Sequence, residues 1–193
     1  TKVNPDLLTL WLKILTAVPN SRLFLKSNSQ HLNDPTIRPT MEQQFARAGI
    51  AAERLILATP TPSQEAHLQT YSQVDIGLDT YPYNGATTTC EALWMGVPVV
   101  TLAGKTHASR MGASILAAVG RPELVAQTPE EYINICIKLA NDTHYLQTLR
   151  AELRNNMQSS PLTDASTFTR QLEAIYREIW ENWCKQSSSI DQK

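Results

Sequence analysis

The side chains best suited to binding chemistry lie in the stretch NGATTTCEALWMGVP, residues 84–98, where three threonines stand between a glycine turn and an apolar helix. Threonine is a good residue to begin a helix, and the first backbone N–H groups of a helix have no partner within it. These N–H groups, the helix dipole and the hydroxyls of Thr87, Thr88 and Thr89 could together bind a phosphate. The triplet therefore predicts either a phosphate site, in which one hydroxyl caps the helix, or a set of simple caps.

Glu91 lies one helical turn beyond Thr87, on the same face of the predicted helix. A carboxylate in direct contact with a phosphate would repel it, whereas its two oxygens can accept hydrogen bonds from both hydroxyls of a ribose. Phosphate at the helix end and ribose on the first turn together describe a nucleoside diphosphate. The pattern leaves open that Glu91 is only a surface charge, because the stretch is not a glycine-rich P-loop.

Other patterns of catalytic or metal-binding residues are missing from the sequence. The three cysteines, Cys90, Cys136 and Cys184, are widely spaced and form no C-x-x-C pair, so we expect buried thiols in a reducing compartment and no metal site. No carboxylate pair is spaced for glycoside hydrolysis, and no G-x-G-x-x-G follows a strand, which argues against an NAD-type domain. His107 and Arg110 could border a ligand pocket or face solvent.

Short apolar runs alternate with amphipathic segments over most of the chain. The runs predict strands at 22–27, 54–59, 75–80, 97–102 and 123–126, and the amphipathic segments predict helices near 5–15, 41–48, 64–72, 87–95, 109–118, 129–140 and 143–157. Fully apolar strands, each followed by a helix, predict a doubly wound α/β domain whose parallel sheet is covered on both faces. Ligands of such sheets bind beyond the carboxyl ends of the strands, which is where the threonine triplet falls.

A separate long helix is predicted for residues 163–184. Its apolar side chains form one wide stripe, made up of Phe168, Leu172, Ile175, Tyr176, Ile179, Trp180 and Trp183. The stripe could pack on the sheet of this chain or on a neighbouring domain. We therefore expect an α/β domain over 1–160, this amphipathic helix within 161–184, and a polar, disordered tail over 185–193.

Charge and hydropathy exclude several kinds of partner. The 17 basic and 18 acidic residues give a net charge of −1 without blocks of one sign, so binding to nucleic acid or to an anionic membrane is not expected. No apolar run approaches the roughly 18 residues of a membrane span, and no signal-peptide pattern is present. We expect a cytoplasmic protein and, because the chain begins at Thr1 without a methionine, a piece of a longer one.

The segment VDIGLDTYPYNGATTTCEALWMGVPVVTLAGKTHASRMGASIL, residues 74–116, strongly resembles the C-terminal catalytic half of the protein O-GlcNAc transferases, in particular their SPINDLY branch. The shared patterns are LDT-P-Y and TTTCE-L-MGVP-VT-AG, and looser similarity extends from KVNP near the start to YREIWENWC near the end. The resemblance implies the two-domain GT-B architecture, in which a Rossmann-like C-terminal domain holds the nucleotide sugar. This chain looks like that domain without its first strand, which would precede KVNP.

The resemblance also implies roles for single residues. Thr87 and Thr88 would contact the phosphates, Glu91 would bind the ribose, and His67 would lie near the base and ribose. Lys2 would be the catalytic cation that neutralises the diphosphate leaving group, so that neither a metal nor another cofactor is needed. The acceptor cleft and a catalytic histidine would belong to an N-terminal half, so we expect these 193 residues alone to be inactive.

Two positions depart from the animal enzymes and bear on the identity of the donor. Ala86 stands where those enzymes have a histidine, and Thr70 where they have an arginine that contacts the base. The predicted nucleotide site also includes Ala86, where the departure bears on nucleotide recognition, and Thr89, whose hydroxyl is a further donor. The predicted function is the donor-binding part of an inverting transferase that passes N-acetylglucosamine from UDP-GlcNAc to Ser or Thr of proteins. The alternatives are a SPINDLY-like O-fucosyltransferase that uses GDP-fucose, and a non-catalytic nucleotide-binding module of a tetratricopeptide-repeat scaffold.

Overall fold

The computed structural model describes residues 2–27, 32 and 34–190, with side chains as far as residue 186. Parallel strands alternate with helices along the chain, and this confirms the predicted α/β class. The strands are β1 (Leu23–Lys26), β2 (Leu55–Ala58), β3 (Gly77–Leu78), β4 (Val99–Leu102) and β5 (Val125–Ala126). The helices are α1 (Pro5–Ala17), α2 (Ile37–Arg47), α3 (Gln64–Gln69), α4 (Thr87–Trp94), α5 (Met111–Ala118), α6 (Pro129–Asn141), α7 (Thr143–Gln158) and α8 (Ala165–Ile190).

The sheet consists of two pieces instead of the continuous sheet that the sequence predicts. β1 pairs with β2, and β4 lies between β3 and β5. Leu23 lies opposite Leu55 in the first piece, and Gly77 lies opposite Val99 in the second. Residues of β1 and β3 line a common apolar cavity of ≈ 870 Å³, to which α1 contributes Leu8. We call this cavity the slot.

The core lies around the three-stranded piece. Helices α5 and α6 both pack against β4 and β5, while α7 packs against α4 and α6. β4 is buried along its whole length, as its run of apolar residues predicts. Gly77 N at the start of β3 donates to Pro98 O, and Asp79 N, one residue beyond β3, donates to Val100 O and so continues the ladder. Beyond Asp79 the chain leaves the sheet in a tight turn, and β3 therefore ends before its predicted limit at residue 80.

Helix α2 begins at Ile37, earlier than the predicted start at residue 41. The Asp34 carboxylate accepts hydrogen bonds from the backbone N–H and the hydroxyl of Thr36, at 2.8 and 2.6 Å, and so organises the entry to the helix. Pro39 falls in the first turn, where the missing N–H of proline costs nothing. Part of the segment between β1 and this helix, residues 28–31 and 33, lies outside the described residues.

Helix α8 leaves its apolar stripe exposed. The side chains of Phe168, Tyr176 and Trp180 are 61–62 % exposed, and the Trp180 and Trp183 rings stack at 5.4 Å between centroids. The described part of the α/β domain does not cover this face, and packing on a neighbouring domain stays a prediction. The helix continues to Ile190, beyond its predicted end at residue 184, because residues 185–190 contain neither glycine nor proline. The predicted disordered tail is thus helical as far as Ile190, and residues 191–193 lie outside the described part. Neither α8 nor any other described helix is long and apolar enough to cross a membrane.

Candidate functional site

The threonine triplet begins helix α4, but none of its hydroxyls caps the helix as the sequence predicts. Ala86 is the N-cap residue, and no side chain caps the helix among the described residues. The Thr89 hydroxyl is buried and donates back to Gly85 O at 3.1 Å, so it fixes the turn. The first helical bond runs from Cys90 N to Ala86 O, and within the described part of the chain the N–H groups of Thr87 and Thr88 have no acceptor. The start of α4 thus keeps its backbone donors for a ligand.

The buried carboxylate of Asp79 holds the turn that leads from β3 into α4. Its Oδ1 accepts from Thr80 N at 2.8 Å and from Gly85 N at 2.7 Å, while its Oδ2 accepts from the Thr101 hydroxyl at 2.7 Å. Burial raises the pKa of Asp79, and these hydrogen bonds and the charge of Lys2 offset part of that rise. One side chain therefore fixes both ends of the turn over residues 80–85.

The far end of α4 is held as firmly as its start. Arg154 Nε donates to Trp94 O at 2.8 Å, which places a cation at the negative end of the helix. Gly96 follows with a φ of +75°, a left-handed conformation that suits glycine and ends the helix. Because both ends are fixed, the direction of the free N–H groups is fixed as well.

Lys2 lies beside the start of α4, although it is far away in sequence. Its Nζ donates to Asn84 O at 2.9 Å and lies 4.2 Å from the centre of the Tyr83 ring. Asn4 secures the same segment, because its Nδ2 donates to Tyr81 O at 2.7 Å. Lys2 and the helix start share a cavity of ≈ 320 Å³, which we call the helix-end cavity. Its lining comprises Lys2, Tyr83, Asn84, Ala86, Thr87, Thr88, His107, Ala108 and Met111.

Glu91 lies one turn further along α4 and is held by three side chains of the α3 region. His67 Nε2 is 3.1 Å from Glu91 Oε2, Gln64 Nε2 donates to Oε1 at 3.2 Å, and the Tyr71 hydroxyl donates to Oε2 at 3.3 Å. Burial and the neighbouring Glu91 charge raise the pKa of Tyr71. The structure thus brings together His67 and Glu91, two of the residues predicted for the nucleotide.

The remaining predicted residues divide into those that border the helix-end cavity and those that support it. Ala86 and His107 line the cavity. Thr70 uses its hydroxyl to bond His67 O at 2.6 Å, at the end of α3. The sequence analysis missed Gln64 and Tyr71, although both lie within four residues of His67, at a helical spacing that could have indicated them.

The described residues offer little to a metal ion. No group of three or more histidine, cysteine, aspartate and glutamate side chains in this part of the chain is placed to hold one. Asp79 is occupied by the turn, and Glu91 by the α3 side chains. The cationic and donor groups at the start of α4 are suited to an anion.

The sequence and the fold both resemble those of known proteins. The model of glycosyl transferase family 41 matches residues 1–172. A probable UDP-N-acetylglucosamine–peptide N-acetylglucosaminyltransferase SPINDLY of Oryza sativa subsp. japonica is 44% identical over 183 residues, which are 95% of this chain and 20% of that protein. The chain therefore spans about a fifth of the length of the curated relative it matches.

Two solved structures resemble the fold. A K341M mutant of the O-GlcNAc transferase of Thermobaculum terrenum superposes with a TM-score of 0.89 at 42% identity, covering 96% of this chain and 35% of that one. A sucrose-phosphate synthase of Thermosynechococcus elongatus superposes with a TM-score of 0.59 at 17% identity, covering 90% of this chain and 42% of that one, which bears on the fold alone. The fold is that of the Rossmann-like C-terminal domain of GT-B glycosyltransferases.

Proposed function

The chain belongs to glycosyltransferase family 41, and we propose that it is the donor-binding part of a protein O-glycosyltransferase. The proposed reaction passes N-acetylglucosamine from UDP-GlcNAc to a serine or threonine hydroxyl of a protein, with inversion at the sugar carbon. One observation carries the proposal: Lys2 and the free N–H groups of α4 line one cavity, and Glu91 lies one turn further along the same helix. The rice and Thermobaculum relatives, whose names give N-acetylglucosamine as the transferred sugar, support the N-acetylglucosamine donor.

The diphosphate of the donor fits the helix-end cavity. In the proposed transfer, the acceptor hydroxyl gives its proton to a base that the N-terminal half would supply and forms a bond to the sugar carbon. The bond from that carbon to the diphosphate oxygen breaks in the same step. The diphosphate leaves with the electron pair, so negative charge grows on its oxygens. The Lys2 ammonium, the N–H groups at the start of α4 and the Thr88 hydroxyl are placed to stabilise that charge without a metal.

The ribose of the donor fits against Glu91. A carboxylate has about four lone-pair sites, of which His67, Gln64 and Tyr71 use three. The bonds from Gln64 and Tyr71 are the longer ones, at 3.2 and 3.3 Å, so a ribose diol can replace one of them. The carboxylate thus holds a ribose at its two oxygens while His67 keeps its orientation.

We propose that the slot takes the first strand that the sequence analysis expects before KVNP. β1 and β3 both line the slot, and neither pairs with another strand on that side among the described residues. Its apolar lining, which includes Leu8, Phe24 and Leu78, suits a strand buried on both faces. Such a strand would end beside Lys2 and join the two pieces into one parallel sheet.

We also propose a donor, an acceptor and further parts of a longer chain as the partners of this domain. The donor is a nucleotide sugar and the acceptor a protein hydroxyl, which an N-terminal half of the longer chain would present. The exposed stripe of α8 offers an apolar surface for that half. Tetratricopeptide repeats in the longer chain and a cytoplasmic location remain expectations from the family resemblance and from the cysteine thiols.

Calorimetry of the 193-residue chain with UDP, UDP-GlcNAc, GDP and GDP-fucose tests the proposal. We expect UDP and UDP-GlcNAc to bind, and Glu91→Gln to weaken that binding about ten- to a hundredfold because charge-assisted bonds to the ribose are lost. Glu173→Gln, an exposed position on α8, is the matched control and should bind as the unchanged chain does.

The same titrations decide between the alternatives. Preference for GDP and GDP-fucose would favour the O-fucosyltransferase, and unchanged binding by Glu91→Gln would remove Glu91 from the site. Magnesium or EDTA should change the affinities little, since fixed groups bind the diphosphate. A strict need for a divalent ion would contradict the proposed phosphate site.

A further inference from the structure

A second lysine, Lys26, lies behind the ribose-binding carboxylate. It is the last residue of β1, and its Nζ is 2.7 Å from His67 Nδ1. On the other side of the imidazole ring, His67 Nε2 is 3.1 Å from Glu91 Oε2. The His67 and Glu91 side chains are only 15% and 18% exposed. Lys26, His67 and Glu91 therefore form a partly buried line of three polar groups that runs from the end of β1 to the second turn of α4.

The chemistry of these groups allows one arrangement of protons. An ammonium has three N–H donors and no acceptor, so His67 Nδ1 must accept from Lys26 and carries no proton. The neutral ring then has its single proton on Nε2, where it faces the Glu91 carboxylate as a donor. The opposite tautomer would place two donors against each other at Nδ1 and leave two acceptors facing each other at Nε2.

We propose that Lys26 is a positioning residue that sets the tautomer of His67 and thereby fixes Glu91 for the ribose of the donor. This inference rests on the proposed function of Glu91. Lys26 acts through His67 and does not touch the nucleotide. Because the Glu91 carboxylate is already oriented before the ligand binds, less conformational entropy is lost on binding. Neither the pattern of the triplet nor the residues carried over from the family include Lys26.

The tautomer can be observed directly in the chain without nucleotide. Long-range ¹H–¹⁵N NMR spectra distinguish a protonated from an unprotonated ring nitrogen, and the His67→Gln spectrum identifies the signals of His67 among the four histidines. We expect Nε2 protonated and Nδ1 unprotonated. Lys26→Met should give a mixture of tautomers, and Lys26→Arg should restore the single form because a guanidinium also only donates. Lys13→Met, an exposed position on α1, should change nothing.

A binding measurement separates positioning from direct contact. If Lys26 acts through Glu91, Lys26→Met should weaken the binding of uridine and of UDP by the same factor, about three- to tenfold. A loss for UDP alone would show that Lys26 contacts phosphate, and would overturn the proposal. A proton on His67 Nδ1 in the unchanged chain, or an unchanged spectrum of Lys26→Met, would overturn it as well. If the unchanged chain binds no nucleotide, the proposed function fails. The NMR spectra still test whether Lys26 sets the tautomer of His67.

Discussion

At the scale of single residues, the site depends on where the charge of Lys2 is held. Its two described contacts are a backbone carbonyl and the face of an aromatic ring, and neither of them neutralises an ammonium. The ammonium, whose charge also acts on the buried Asp79 carboxylate, lies beside the start of α4, where the helix dipole adds to its positive potential. An anion in the helix-end cavity is attracted by both the Lys2 ammonium and the α4 dipole, whereas a neutral nucleoside bound at Glu91 is attracted by neither.

Replacing Lys2 should therefore separate phosphate binding from nucleoside binding. Lys2→Met keeps most of the apolar stem and removes the charge, so we expect the affinity for UDP to fall about ten- to a hundredfold. The affinity for uridine should stay the same. Isothermal titration of UDP and NMR titration of uridine measure the two, with Lys13→Met as the control. Equal losses for both ligands would mean that Lys2 supports the fold instead of the phosphates.

The residues of the site were predictable to different degrees. Thr87, Thr88 and Glu91 follow from their types and spacing, because a helix start and its first turn are encoded locally. Lys2 and His67 required the family resemblance, since neither residue is distinctive alone. Lys26 and Tyr71 were missed, because each bonds a partner that lies on another element. Thr89 was expected to serve the ligand, but its hydroxyl finds a nearer acceptor at Gly85 O.

At the scale of elements, the site depends on the turn that ends β3. Asp79 closes the turn through three hydrogen bonds, and the Tyr132 hydroxyl on α6 supports it by donating to Asp79 O at 3.1 Å. Gly112 on α5 packs so closely that a Cβ there would collide with the Thr101 and Asp79 side chains. The turn is thus anchored by helices α5 and α6 and by strand β4, which explains how a short helix start can be held rigidly.

The raised pKa of Asp79 predicts how stability depends on pH. Because the folded protein binds this proton more tightly than the unfolded chain, the contribution of Asp79 is fully present below the unfolded pKa of about 3.9. It is lost as pH rises through the higher folded pKa. Relative to Asp79→Asn, the unchanged chain should therefore lose unfolding free energy as the pH rises above about 4, by less than about 1.4 kcal/mol per pH unit.

Urea unfolding at a series of pH values, followed by circular dichroism, measures this difference. Asp75→Asn, at an exposed position before β3, controls for the change in net charge. The unfolding free energy of the unchanged chain minus that of Asp79→Asn should fall as the pH rises. If this difference stays constant or increases, burial does not raise the pKa of Asp79.

The elements themselves were largely predictable, for a physical reason. Apolar runs of four to six residues mark the strands because both faces of a parallel strand are buried. Two helix starts are fixed by local caps, since the Asn4 side chain accepts from Leu7 N and the Thr128 side chain accepts from Glu131 N. The ends of β3 and α8 were less predictable, since a strand end depends on a turn and a helix end depends on a stop signal that the sequence near 184 lacks.

At the scale of the whole molecule, the proposed donor site lies in this chain, and the proposed acceptor cleft belongs to an N-terminal half. We expect the 193 residues to bind UDP-GlcNAc and to transfer no sugar, because the acceptor has to be held close to the sugar carbon. Incubation with radiolabelled UDP-GlcNAc and a library of serine- and threonine-containing peptides measures transfer. Incorporation above that of a Lys2→Met control would show that the second half is unnecessary.

The split sheet also has a consequence for how the structure opens. The β1–β2 ladder is joined to the rest of the described molecule by helix packing and not by strand pairing, so its amide hydrogens are protected by fewer cooperative bonds. Deuterium should therefore enter Leu23–Lys26 and Leu55–Ala58 through a local opening of lower free energy than the one that exposes Val99–Leu102. The chain then behaves as two cooperative units, the less stable of which carries Lys26, while Lys2 and α4 belong to the more stable one. A local opening of the β1–β2 piece would therefore weaken the proposed contacts to the ribose before it changes the proposed diphosphate site.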